Sequence, residues 1–228
     1  MATMEDLREH LVSHQLERRG IADPRVLAAM RAVPRELFVP VHLRDEAYED
    51  EPLPIGSGQT ISQPYIVACM IEAMGLGGGE KVLEIGAGSG YAAAVLAQIA
   101  ASVFTIERIG ALAEMARRNV AAAGCGNVQV RHSDGTLGWP EEAPFDAILV
   151  SAGAPDVPHS LISQLRIGGR LVLPVGPDPR SQVLVRVTRT GEHDTSRETI
   201  AQVRFVPLIG EEGWKGPEAD RPDFGEDD

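Results

Sequence analysis

The periodicity of apolar positions changes once along this chain. Over residues 4–19, Leu7, Leu11 and Leu16 stand at helical spacing and the run stops at Gly20, which predicts an amphipathic helix. Asp23-Pro24 reads as an N-cap with proline in the first turn, opening a second helix through Met30. Residues 34–40 and 52–58 are rich in turn formers, and an apolar helix follows over 65–74. From Lys81 onward, short apolar runs at 81–85, 102–106, 128–131, 146–150 and 170–174 are interleaved with helical patterns at 91–99, 110–123 and 158–165. Strands alternating with helices predict βαβ units, hence a parallel sheet covered on both faces. Runs at 183–187 and 200–206 have only a loop at 191–195 between them and are expected to pair antiparallel at the sheet edge. The expected fold is α/β: a Rossmann-like, doubly wound, mostly parallel sheet of seven strands with an N-terminal helical extension.

Composition adds little to this picture and charge adds more. The chain has 228 residues, 43% hydrophobic and 24% charged, as one soluble globular domain would. Its net charge of −12 argues against general affinity for nucleic-acid backbones or anionic membranes. Half of that excess falls in residues 211–228, where eight acids accompany two bases, and the end of the chain is expected to be a disordered, solvating tail. The longest apolar stretch, about 13 residues over 92–104, is too short to span a membrane. The acidic N-terminus, with Glu5, Asp6 and Glu9, does not read as a signal peptide. Cys69 and Cys125 lack CxxC spacing and are expected as reduced thiols, which fits the cytoplasm.

The sharpest local signal is Glu84-Ile85-Gly86-Ala87-Gly88-Ser89-Gly90, where the first sheet strand turns into a helix. Glycines there allow a tight turn and let a ligand approach the backbone. Glu107 follows 21 residues after Gly86, at the end of the second strand, where a carboxylate can accept hydrogen bonds from both hydroxyls of a ribose. A dinucleotide fingerprint, GxGxxG, would need glycine at position 91, which is Tyr91; the spacing here is GxGxG. Glu84, two residues ahead, suits the cationic amino group and sulfonium of S-adenosylmethionine. From these residues alone that cofactor fits best, with NAD and a purely structural turn as the alternatives. Asp134-Gly135 ends the third strand, where it can meet an adenine amine or simply make a turn. Three such strand ends on one carboxyl edge favour ligand binding, because open α/β sheets bind ligands there.

Residues 53–64 crowd glycines and small hydroxyls just before the apolar helix. They can be a plain loop with Ser62 as N-cap and Pro64 in the first turn, or a seat for a carboxylate at a helix N-terminus. Here the chain resembles the protein-L-isoaspartate (D-aspartate) O-methyltransferase family. The matching stretches are FVP at 38–40, LPIGSGQTISQPYIVACM at 53–70, KVLEIGAGSGYAAAVLA at 81–97, TIER at 105–108, GWPEEAPFDAILV at 138–150, QLRIGGRLVLPVG at 164–176 and VRFVPLIG at 203–210. The resemblance spans roughly residues 5–214, and GQTIS is far more specific than the glycine loop.

The resemblance implies an S-adenosylmethionine-dependent methyltransferase that acts on the free α-carboxylate of L-isoaspartyl residues in damaged proteins. The ester then collapses to a succinimide, whose hydrolysis returns some normal aspartate. It implies Ser62 as the catalytic hydroxyl, with Ile61 beside it at the substrate. Gly86 and Gly88 would line the methionine end, Glu107 the ribose and Asp134-Gly135 the adenine; Glu84, Gly90, Gln59 and Thr60 complete the expected cofactor site, and 208–214 would cover it. No metal, nucleic acid or membrane is implied, isoaspartyl proteins are the expected partners, and a monomer is expected. Residues 1–62 are expected to pack on the core and supply part of the active site, 63–214 to form the methyltransferase core and 215–228 the tail. Alternatives are a relative acting on an Asp of a dedicated peptide in natural-product maturation, and a cofactor-binding module without activity. Departures from the family pattern are Ala87 where threonine is frequent, Ser133 before Asp134, Ser151-Ala152-Gly153 where two alanines are common, and the acidic tail.

The chemistry needs no acid or base. A carboxylate is ionised at neutral pH, with a pKa near about 4, and a thioether leaves uncharged, which fits the absence of a Ser-His-Asp pattern. Ser62 would position the carboxylate rather than attack. Elsewhere, His10 and His14 with Glu17 read as solvated helix surface, and Asp45, Glu46, Glu49, Asp50 and Glu51 as a solvated acidic face. Trp139 reads as a packing anchor, and Met30, Met70, Met74 and Met115 as core.

Overall fold

The computed structural model describes residues 2–178 and 180–216; the disorder expected for the acidic tail concerns residues that, from 217 on, lie outside the described ones. The N-terminal run is one helical segment of changing pitch rather than a single α-helix. A Thr3–Asp6 capping box opens α1 (Met4–His10), a π-helical stretch continues it over Leu11–Leu16, and a 3-10 turn (Glu17–Arg19) ends on Gly20 at φ 100°. The reason is the five-residue gap in the apolar pattern. At about 100° per residue, Leu16 would be turned about 140° from Leu11. The i→i+5 bonds of a π turn bring the two onto one side, and Leu11, Val12 and Leu16 are all buried.

The second helix, α2 (Pro24–Ala32), starts as expected, with the Asp23 carboxylate accepting from the Arg25 N–H at 2.8 Å. The 52–58 stretch is not a plain turn. It builds a hairpin of β1 (Leu53–Gly56) and β2 (Gln59–Ile61), whose alternating Leu53, Ile55 and Ile61 face the core. Next comes α3 (Pro64–Met74).

The main sheet has seven strands: β3 (Lys81–Ile85), β4 (Ser102–Glu107), β5 (Val128–His132), β6 (Phe145–Val150), β7 (Leu165–Asp178), β8 (Ser181–Arg189) and β9 (Thr195–Val203). Their spatial order is β5-β4-β3-β6-β7-β8-β9, parallel through β7 and antiparallel for the last two pairings. Three helices are interleaved with the strands: α4 (Tyr91–Ala97), α5 (Gly110–Ala122) and α6 (His159–Ser163). Both β7 and β9 begin earlier than the apolar pattern suggests. Residues 195–199 are exposed and polar, and an edge strand there needs only main-chain bonds to β8.

The period of two decides the two cores. Val82, Val103, Leu149, Val172 and Leu184 join the N-terminal helices, α3 and α4 in one cluster. Leu83, Phe104, Ile148, Leu171 and Val185 point to the other face, with Trp139 and Leu161. Trp139 is 7% exposed, edge-on to Phe104 at 5.3 Å, so it packs as expected. Met30, Met70 and Met74 are buried, and Met115 is partly so. Cys69 and Cys125 are free thiols. Among the described residues, no helix is long and apolar enough to cross a membrane.

Candidate functional site

The chain leaves β3 toward β4 and β5, then returns to β6 on the other side of β3 before continuing outward. The two connections diverge at the carboxyl ends of β3 and β6, which opens a crevice there. The glycine loop lies at this point. The Gly86 and Ala87 N–H groups both donate to the Ile106 carbonyl, at 2.8 and 3.2 Å, so the loop is pinned through its backbone, a contact that does not depend on the side chain at 87. Gly90 has a different task from the one the motif suggests. It stands at the N-cap of α4 with φ +88°, and a Cβ there would lie 3.0 Å from Val120 Cγ1 and 3.3 Å from Ala116 Cα. It lets α4 approach α5 and does not line the crevice.

Two carboxylates flank the loop in different environments. Glu107 is 7% exposed; its Oε2 accepts from the Gly88 N–H and its Oε1 from the Ile109 N–H, both at 2.9 Å. Each oxygen keeps a second lone pair for a ligand hydroxyl. Glu84 is fully buried. Thr105 Oγ1 donates to its Oε2 at 2.6 Å, and its Oε1 has no partner among the described residues. Burial pushes this carboxyl up to about 8; the Thr105 hydrogen bond opposes the shift and the negative charge of Glu107 adds to it. An unsatisfied buried acceptor costs about 1–3 kcal/mol. A cationic group in the adjoining cavity would satisfy it, so the donor set fits the positively charged end of S-adenosylmethionine.

Gly135 and Asp134 part company. Gly135 lines the crevice, and a Cβ on it would lie 2.4 Å from Ile85 Cγ2. The Asp134 carboxylate is not part of that lining. Its Oδ1 accepts from the Thr136 N–H and Oγ1, both at 2.8 Å, and its Oδ2 accepts from the Glu211 N–H at 2.8 Å. It therefore holds the C-terminal segment 208–214, which brings Leu208 and Ile209 to the crevice. The same segment is fixed by the Trp214 indole donating to the Gly153 carbonyl at 2.9 Å and by Glu212 accepting from the Ser160 N–H at 2.9 Å.

The hairpin closes the opposite wall. Gln59 and Thr60 face the Gly88–Glu107 side of the crevice, while Ile61 and Ser62 face Glu84 and Gly86. Ser62 is not the cap of α3. The N-cap position is Gln63, and the free Tyr65 N–H is taken by Asp50 Oδ1 at 2.8 Å. Asp50 Oδ2 also accepts from the Gln63 side-chain amide at 2.8 Å and pairs with Arg19. Asp50 thus leaves the solvated acidic face, on which Asp45, Glu46, Glu49 and Glu51 stay exposed. The Ser62 hydroxyl, half-buried, makes no hydrogen bond among the described residues. It stands in a wall shared by the glycine-loop cavity and an open cleft of about 870 Å³. Ser151, at the end of β6, borders the cleft and both parts of the crevice; from sequence it stands out only as a departure from the family pattern.

Comparison with known proteins points to one family. The family model for protein-L-isoaspartate (D-aspartate) O-methyltransferases matches residues 6–213. Protein-L-isoaspartate O-methyltransferase 1 of Rhodopseudomonas palustris (strain HaA2) is 65% identical over 219 residues, covering 94% of this chain and 89% of the relative. That of Brucella anthropi is 52% identical, covering 94% of this chain and 98% of its own length. A solved protein-L-isoaspartate O-methyltransferase superposes with a TM-score of 0.82 at 32% identity, covering 90% of this chain and 67% of that one. A Plasmodium falciparum structure described as such an enzyme in complex with S-adenosyl-L-homocysteine gives a TM-score of 0.77 at 26% identity, covering 92% and 99%. The chain belongs to the protein-L-isoaspartate (D-aspartate) O-methyltransferase family.

Proposed function

We propose that this chain transfers a methyl group from S-adenosylmethionine to the free α-carboxylate of L-isoaspartyl residues in damaged proteins, the first step of their repair. The observation that carries this reading is the place of Ser62, an uncommitted hydroxyl on the boundary between the glycine-loop cavity and a cleft wide enough for a peptide. When bound, S-adenosylmethionine supplies a methyl group on a sulfonium whose neutral thioether leaves without a proton. Glu84, Gly86 and Gly88 would hold its methionine end and Glu107 its ribose. Gly135 would border the adenine, with Asp134 acting through the segment it holds. The Plasmodium relative's complex with S-adenosyl-L-homocysteine supports the choice of cofactor. The isoaspartyl carboxylate is already ionised, so Ser62 has only to donate a hydrogen bond to one oxygen and orient the group. Orientation and exclusion of water can be worth up to about 7–11 kcal/mol. A monomeric working unit and a cytoplasmic location belong to the same reading.

The test is methyl transfer from labelled S-adenosylmethionine to two peptides that differ only in L-isoaspartate or Asp at one position. Base-labile label on the isoaspartyl peptide alone is expected. Label on neither, with cofactor binding intact, would refute repair and point to a dedicated peptide substrate.

A further inference from the structure

The cleft beside Ser62 carries a charge pattern that the methyl transfer itself does not use. Its walls come from the end of the hairpin, the start of α3, the β8–β9 edge and residues 204–207. Among the described residues that line it, the ionisable side chains are Arg180 and Arg204, with no Asp or Glu. This is a local inversion on a chain of net charge −12. Arg204 is exposed and makes no ion pair or hydrogen bond among the described residues. The Arg180 side chain is 82% exposed, and its ionic contact is Asp178 at 3.8 Å, itself 53% exposed, a pair worth little. Other surface arginines of the chain, such as Arg31, Arg131 and Arg186, are engaged by carboxylates. The remaining lining is neutral, with Gln63 and Gln202 as amides and Ile66 and Phe205 as apolar surface. Both arginines come from the β8–β9 side of the cleft.

We propose that Arg180 and Arg204 set substrate specificity, so that the cleft selects isoaspartyl peptides whose flanking residues carry carboxylates and disfavours those flanked by lysine or arginine. The inference rests on the isoaspartyl reading and adds to it the chemical class of the flanking sequence. Cations that are unpaired, as Arg204 is among the described residues, or only weakly paired, as Arg180 is with Asp178, raise the local concentration of anionic segments and repel cationic ones. They line the same cleft as the Ser62 hydroxyl that would receive the carboxylate, so a peptide seated there brings residues flanking the isoaspartyl group into their field. Both are solvent-exposed and screened by salt, so each contact is modest, and the effect falls on KM more than on kcat.

The experiment uses the full chain, labelled S-adenosylmethionine and three isoaspartyl peptides of one sequence with Glu, Gln or Lys at the flanking positions. The order Glu, Gln, Lys in kcat/KM is expected, spread about tenfold at low ionic strength and collapsing at about 0.5 M salt. The double variant Arg180→Glu with Arg204→Glu is expected to invert the order. The single variants Arg180→Gln and Arg204→Gln should each narrow the spread, and their melting temperature and cofactor binding report that they are folded. Equal kcat/KM for the three peptides, or an order that survives the double variant, would overturn the proposal while leaving the isoaspartyl reading intact. Methylation of none of them by wild-type protein that binds S-adenosylmethionine would overturn both.

Discussion

Glu84→Gln separates the charge of the buried carboxyl from its shape. Glutamine keeps the volume and leaves an amide oxygen for the Thr105 hydroxyl, which donates to Oε2 at 2.6 Å. In the folded chain, burial pushes the Glu84 carboxyl up to about 8, from 4.5 as its ordinary value. A folded value above the unfolded one means that the native state holds the proton more tightly. The stability this gives is fully present below about pH 4.5 and is lost as pH rises toward 8. The slope is about 1.4 kcal/mol per pH unit, so at pH 7 the wild type has given up about 3 kcal/mol relative to a variant that cannot ionise. For a chain of this size that is on the order of 6 °C in Tm. The assay is calorimetric melting of both proteins without cofactor at pH 5, 6, 7 and 8. The variant's advantage should be smallest at pH 5 and grow through pH 7. Added S-adenosylmethionine should stabilise the wild type more than the variant, because its cationic end favours the carboxylate. A difference that does not change with pH would refute the reasoning, since it would mean that Glu84 does not titrate in this window.

Ser62→Ala should lower kcat about 10- to 100-fold, as loss of one hydrogen bond to a charged group does, with the Kd for S-adenosylmethionine unchanged by calorimetry. Normal turnover, or equal loss of both, would remove Ser62 from the positioning role. Gly135→Ala places a Cβ 2.4 Å from Ile85 Cγ2 and should cost about 1–3 kcal/mol in chemical denaturation together with weaker cofactor binding, because both residues border the crevice; unchanged affinity would show that the crevice tolerates the shift. Removing the residues after Trp214 keeps the indole bond to Gly153 and should leave the Kd for S-adenosylmethionine unchanged. A large loss in calorimetry would show that the tail helps build the site.

Much of the fold can be read along the chain, since the alternation of short apolar runs with helical patterns places all seven strands of the sheet and the antiparallel edge. The departures have local causes. The π stretch at Leu11–Leu16 answers a five-residue apolar gap that a spacing rule reads as ordinary helix. The hairpin at 53–61 hides in short strands broken by Pro54 and glycines, and the exposed start of β9 is held by main-chain bonds that no side-chain pattern reports.

For the candidate site the division is sharper. By itself the sequence singled out the loop Glu84 to Gly90 and Glu107 at the next strand end, because each follows from residue types within one short stretch, while the 59–62 segment before α3 stood out through the family resemblance. Only the tertiary structure decided what these groups face. It gave the cap of α3 to Asp50 rather than Ser62, turned Asp134 onto the Glu211 N–H, brought Ser151 to the glycine loop and set Arg180 and Arg204 into the cleft. The physical reason is that periodicity records which face of a segment is buried. The partner of a polar group comes from a segment far away in the chain, delivered by the order in which β3, β6 and β8 lie side by side.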